Sequence, residues 1–250
     1  MFNLAHAAPK FKLQPIDFYF TDPRVQGLLQ AALDGDQATA RQWVSQGANP
    51  NEEGPMTTPY NRLRLLHYGI AAENESAVRI LVALGADPEL DRKGSSAGSP
   101  LLFTVTLQNP RMLAVLLDLR PVNTLSDNSR EDLLFRAANL STTDCLEVLL
   151  QRGFPIDIKD SLGRTALIDV LSKFDFDRAE WLIQRGAQVD FEDRGGVTPA
   201  YMIQDDLSRV KPGSESEQKL LNLKAMMQAR GAVFPAATPA ENRTKRGLTR

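Results

Sequence analysis

Two histidines, His6 and His67, and a lone Cys145 are the only imidazole and thiol groups this chain offers for metal ligation or nucleophilic catalysis. His67 has no second histidine near it in sequence, and one imidazole alone is weak material for a general base. Cys145 falls on the apolar stripe of Leu146, Leu149 and Leu150, where a thiol is buried, raised in pKa and inert. The carboxylate pairs Asp205–Asp206 and Glu215/Glu217 have the chemistry for acid–base work or a cation, yet they sit in a polar stretch where solvated charge is the ordinary explanation. A Gly-rich phosphate loop, a Gly-x-Ser-x-Gly elbow and a His-Glu-x-x-His helix are all missing from the sequence. The expectation is no enzyme, no metal and no cofactor.

Bulk properties narrow the class further. The 250 residues are 42% hydrophobic and 24% charged, the composition of an ordinary folded protein. A formal charge of -2 provides no global field for nucleic acid or anionic lipid. No apolar run approaches the roughly 18 to 20 residues that span a bilayer, so no transmembrane segment is expected. The lone cysteine excludes an internal disulfide.

The chain is organised by recurrence. Five aliphatic helix patterns stop at a glycine (Gly47, Gly85, Gly153, Gly186 and Gly231), and a sixth stop at Arg120-Pro121 has lost it. Counting back eighteen residues from these stops aligns Leu29, His67, Leu102, Phe135 and Ile168, with Tyr201 following, at spacings of 38, 35, 33, 33 and 33. Just ahead lie Ser99-Pro100, Thr165-Ala166 and Thr198-Pro199, where a hydroxyl caps a helix and proline suits its first turn. A second helix follows in each unit, apolar at helical spacing, as in Val78, Leu81 and Val82 or Ala179, Leu182 and Ile183. Trp43 and Trp181 fall on these stripes and read as packing residues. A hairpin that cannot bury its own apolar face must borrow a neighbour's, which predicts stacked repeats.

Thr-Pro-x-x, a small pair, an amphipathic helix, Gly-Ala-x-x and Asp-x-x-Gly together resemble the ankyrin repeat, over about residues 24 to 235. The resemblance implies an all-α ankyrin-repeat solenoid of about six helix-turn-helix units with short hairpin fingers. Its divisions are a capping segment at 1–23, repeats near 24–53, 54–94, 95–127, 128–160, 161–193 and 194–235, and a flexible basic tail at 236–250. At the position of His67 such repeats carry a histidine that hydrogen-bonds neighbouring loops. Two departures stand out: a first finger lengthened around Gly54–Arg62, and a polar insertion at Asp205–Glu217 between the last two helices, both expected on the surface.

Ankyrin repeats bind other proteins through the finger tips and the exposed side of the first helices. By register that wall comprises Tyr60, Asn61, Leu63, Asn128, Ser129, Glu131, Asn139, Ser161, Leu162, Arg164, Ser172, Lys173, Arg194, Val197, Asp205 and Asp206. Tyr60, Leu162 and Arg164 are the expected anchors, because aromatic, apolar and arginine side chains dominate interface energetics.

The entry segment Phe11–Asp36, with Phe18-Tyr19-Phe20-Thr21-Asp22-Pro23, and the ending Gly231-Ala232-Val233-Phe234-Pro235 are similar to Gram-negative ankyrin proteins encoded beside type VI secretion phospholipase effectors. Those act as immunity proteins, usually in the periplasm or attached to the membrane. The resemblance implies a binder that neutralises its effector by steric occlusion; the alternative is a cytoplasmic adaptor for other protein–protein interactions. Ala5-His6-Ala7 has the form of a signal-peptide cleavage site, which an upstream start would complete and which suits a soluble periplasmic protein; the alternative reading is a loosely docked N-terminus.

Overall fold

The computed structural model describes residues 12–55, 62–91 and 98–247. Among them are fourteen α-helices, one short 3-10 turn and no β-strand, in agreement with the all-α expectation. Tyr60, Asn61 and Ala5-His6-Ala7 lie outside the described residues.

After the short α1 (Ile16–Tyr19), twelve helices form six pairs. The pairs are α2 (Pro23–Leu33) with α3 (Gln37–Ser45), α4 (Leu65–Ala71) with α5 (Glu75–Ala83), and α6 (Pro100–Thr106) with α7 (Pro110–Leu119). They continue as α8 (Asp127–Ala138) with α9 (Asp144–Gln151), α10 (Ala166–Ser172) with α11 (Phe176–Gln184), and α12 (Pro199–Leu207) with α13 (Glu215–Ala229). A final helix, α14 (Pro239–Lys245), follows.

Local chemistry fixes the ends of these helices. Asp22, Ser99 and Thr198 cap α2, α6 and α12 ahead of a first-turn proline. Within a pair the turn is equally specified. Asp36, Asn74, Asn109 and Asp175 cap the second helix, each accepting a backbone N–H three residues on at 2.9 to 3.0 Å. The residue before each cap (Gly35, Glu73, Gln108 or Phe174) has a left-handed backbone with φ between 51 and 77°.

The chain divides into two compact units, 1–154 and 155–250. In the first, α4, α6 and α8 meet in succession, as do α5, α7 and α9, while α2 lies against α3 and α5. Leu28, Leu29, Leu66, Ile70, Leu81, Leu113, Leu116 and Leu146 are buried in this stack, each contributing about 1.5 to 3 kcal/mol by leaving water. In the second unit α10 meets α12 and α11 meets α13, burying Leu167, Leu171, Leu182, Ile183, Ile203 and Leu223.

Several expectations need correction. The insertion at Asp205–Glu217 is not a surface loop throughout, because its two ends continue α12 and α13 and only the stretch between them is irregular; Asp206 is buried. Within the stretch expected to be a flexible tail, residues 236–247 are ordered by a helix, since Thr238 and Glu241 form a capping box that starts α14. Asn128 and Ser129, expected on the wall, stand in the first turn of α8, with Ser126 as its cap. Leu63, expected on the wall, is buried: the Gly54 N–H to Leu63 carbonyl bond and the Glu53–Arg64 bridge close the base of its finger, and the Gly54 backbone lies against the Tyr19 carbonyl of the N-terminal segment.

Trp43 packs so tightly over Gly27 of α2 that a β-carbon there would lie 2.4 Å from the indole. Gly27→Ala is therefore expected to lower stability by about 1 to 3 kcal/mol through overpacking, read as a fall in the urea midpoint with an unchanged slope.

Candidate functional site

The fingers of the second unit share one construction. Asp160 accepts the N–H groups of Leu162 (2.9 Å) and Arg164 (2.8 Å) on Oδ1, and the Arg164 guanidinium on Oδ2. Burial works to raise the Asp160 pKa, but these bonds outweigh it and hold the carboxyl below its ordinary value. Asp193 repeats the pattern on the Val197 N–H at 2.8 Å. The Arg194 N–H donates to the Leu162 carbonyl at 3.0 Å, tying one finger to the next. At their tip stands Leu162, 54% exposed and so held in water by a fully bonded backbone.

Helix α14 locks onto the second of these fingers. Asn242, buried, donates to the Gly196 carbonyl at 2.9 Å, and Arg243 donates to the Gly195 carbonyl at 2.7 Å. Arg246 pairs with Glu192 at 2.9 Å. Gly196 (φ 84°) must be glycine, because a β-carbon would stand 2.6 Å from the Pro239 carbonyl. Arg194, Arg243, Lys245 and Arg246 are exposed, so the docked helix adds cationic side chains to the second finger, where Arg246 donates to the Arg194 carbonyl at 3.3 Å.

The remaining residues expected on the wall divide by what they already hold. Arg164 is half-buried and committed to Asp160, leaving Leu162 as the exposed anchor of the pair. Lys173 neutralises the buried Asp169 at 2.7 Å, and the Ser172 hydroxyl donates to the Asp169 carbonyl at 2.6 Å. Asp205 pairs with Arg209 at 2.8 Å, and Asp206 is pushed above the usual carboxylate range by burial and then by the Asp205 charge. Asn128, Ser129 and Glu131 lie in the opening turns of α8, and Asn139 closes that helix by donating to the Phe135 carbonyl. Ser161 and Arg194 are exposed on the fingers beside Leu162, and Val197 is half-buried at the base of the second. Sequence reasoning missed α14, although Thr238-Pro239-Ala240-Glu241 is a readable cap-and-proline signal.

Among the described residues no three His, Cys, Asp or Glu side chains gather in a way that would hold a metal. The Cys145 thiol is buried and pushed up to about 12 by burial, then by Asp144. His67 is buried with both nitrogens engaged. Its Nδ1 accepts the Arg64 N–H at 3.1 Å, so Nε2 carries the proton and donates to the Gly98 carbonyl at 3.1 Å. Burial above all depresses its pKa to about 4. It is a neutral strut between loops.

Comparison with known structures decides the architecture. The ankyrin repeat domain of Bcl-3, a member of the IkappaB family, superposes with a TM-score of 0.64 at 24% identity, over 91% of this chain and 96% of that one. The chain has the ankyrin-repeat fold. EF0377, an ankyrin repeat protein, gives 0.52 at 22% identity over 79% of this chain and 97% of its own, and the human ASB11 ankyrin repeat domain gives 0.50 at 20% over 78% and 96%. No protein-family model matches the sequence, and no curated protein does. No described helix is long and apolar enough to cross a membrane.

Two predictions follow from this geometry. Because the unfolded chain protonates His67 near pH 6.5 while the folded one resists to about 4, its stabilisation is complete above that window and falls as pH drops through it. The loss is on the order of 3 kcal/mol; the difference between pH–stability curves of the parent and His67→Ala proteins isolates it. Asn242→Ala leaves the Gly196 carbonyl unpartnered and is expected to cost about 1 to 3 kcal/mol, with faster hydrogen exchange confined to the 193–197 finger and α14.

Proposed function

We propose that this protein is an immunity protein that captures a type VI secretion phospholipase effector and blocks its active-site entrance, and that it acts in the periplasm. The observation that carries the reading is the pair of finger tips in the second unit. Leu162 is held exposed by the Asp160 turn and the Arg194 link, and the cations of α14 dock on the neighbouring finger. Such a tip is ordered before it meets a partner, so little conformational entropy is lost on contact. Occlusion needs shape and affinity but no reactive group, which suits a chain whose described imidazole, His67, and thiol, Cys145, are locked into the core. The choice of effector class and compartment draws support from the end segments, Phe18-Tyr19-Phe20-Thr21-Asp22-Pro23 and Gly231-Ala232-Val233-Phe234-Pro235, and from Ala5-His6-Ala7.

Co-expression with the phospholipase encoded beside the gene is the test. A stable complex and relief of toxicity are expected, with Leu162→Asp weakening binding by about 2 kcal/mol or more, some thirtyfold in Kd. No complex and unrelieved toxicity would refute the immunity role, whereas full binding by both Leu162→Asp and Arg194→Glu would remove these finger tips from the interface. Fractionation of cells carrying the gene with its upstream region should place the product with periplasmic markers.

A further inference from the structure

The turn between α10 and α11 carries an anomaly that neither folding nor the finger tips explain. At the equivalent turns the left-handed residue is Gly35, Glu73 or Gln108, a glycine or a polar side chain. Here it is Phe174, with φ 59° and 65% of its surface in water. A bulky residue is disfavoured in this backbone region, and an exposed ring recovers little of that cost by burial.

Phe174 borders a groove of about 370 Å³. Its ring meets the buried Phe176 edge-on at 6.3 Å, and Val210 and Lys219 line the far side. The mouth is acidic. Asp175 faces the buried Arg178, while Asp177 and Glu215 share the single ammonium of Lys219 at 2.8 and 3.2 Å, leaving the mouth net negative. The space suits one large side chain, and the rim suits a positive neighbour.

We propose that this groove docks a short segment of a partner protein presenting one leucine or phenylalanine flanked by lysine or arginine. It is a second interaction surface, independent of the immunity reading and at the helix-turn end of the second unit rather than on its fingers. Phe174 supplies the aromatic wall, Asp177 and Glu215 select the flanking charge, and the left-handed turn aims the ring outward.

The test titrates the full chain, followed by amide NMR, with two short peptides sharing a phenylalanine anchor, one flanked by lysine and arginine and one by glutamate. The basic peptide is expected to bind saturably, shift the signals of residues 174–177 and 210–219, and bind at least tenfold more tightly than the acidic one. Phe174→Gly should abolish this binding while melting at an equal or higher temperature, because glycine adopts the turn without strain, and should still bind the effector. Equal binding of both peptides, no binding, shifts mapped elsewhere, or a lower melting temperature for Phe174→Gly would overturn the proposal. So would self-association of the parent protein that Phe174→Gly removes, since the groove would then hold a second copy.

Discussion

Apolar surface on a short helix pair cannot be hidden within the pair, and each of the two units is a response to that constraint. Helices such as α4, α6 and α10 are seven residues long, too short to persist alone in water. They persist because leucines on both helices of a pair close against the next pair, as Leu81, Leu113 and Leu116 do in the first unit and Leu182 and Leu223 in the second. Once that burial fixes the pairs, everything between them is presented at set intervals. The fingers need little stability of their own, and a few carboxylate-to-backbone bonds suffice to shape them.

Polar groups inside the stack work as struts. Glu89 accepts the Ser126 N–H and hydroxyl at 2.9 Å and the Arg120 guanidinium at 3.3 Å, so one carboxylate ties the loop after α5 to both ends of the α7–α8 connection in the first unit. Burial works against its charge, but the Ser129, Ser126 and Arg120 bonds prevail and its pKa stays low. His67 does the same service in neutral form. A group locked this way is unavailable for proton transfer.

The repeats were legible in the sequence because each landmark has a mechanical cause: a hydroxyl or carboxylate to cap, a proline for a first turn, a glycine to stop. His67 and Cys145 were legible for the same reason, through their register on buried stripes. Failures arose where composition was allowed to overrule a local signal. Pro235–Arg250 is rich in small and basic residues, yet Thr238 and Glu241 spell a cap, and α14 obeys the cap. The insertion at Asp205–Glu217 is polar, yet helical periodicity runs through its ends. Leu63 and Phe174 are different, because their exposure depends on how a loop folds back and on the sign of one backbone angle, neither of which residue type reveals.

The central claim is that rigid finger tips, shaped before contact, hold the partner. Amide hydrogen exchange of the free protein and of its complex with the proposed effector addresses it directly. The account predicts that the N–H groups of Leu162, Arg164, Arg194 and Val197 are already slow in the free chain and slow further in the complex. Fast exchange at these amides when free, or no change at any of them in a complex that still inhibits the effector, would contradict it.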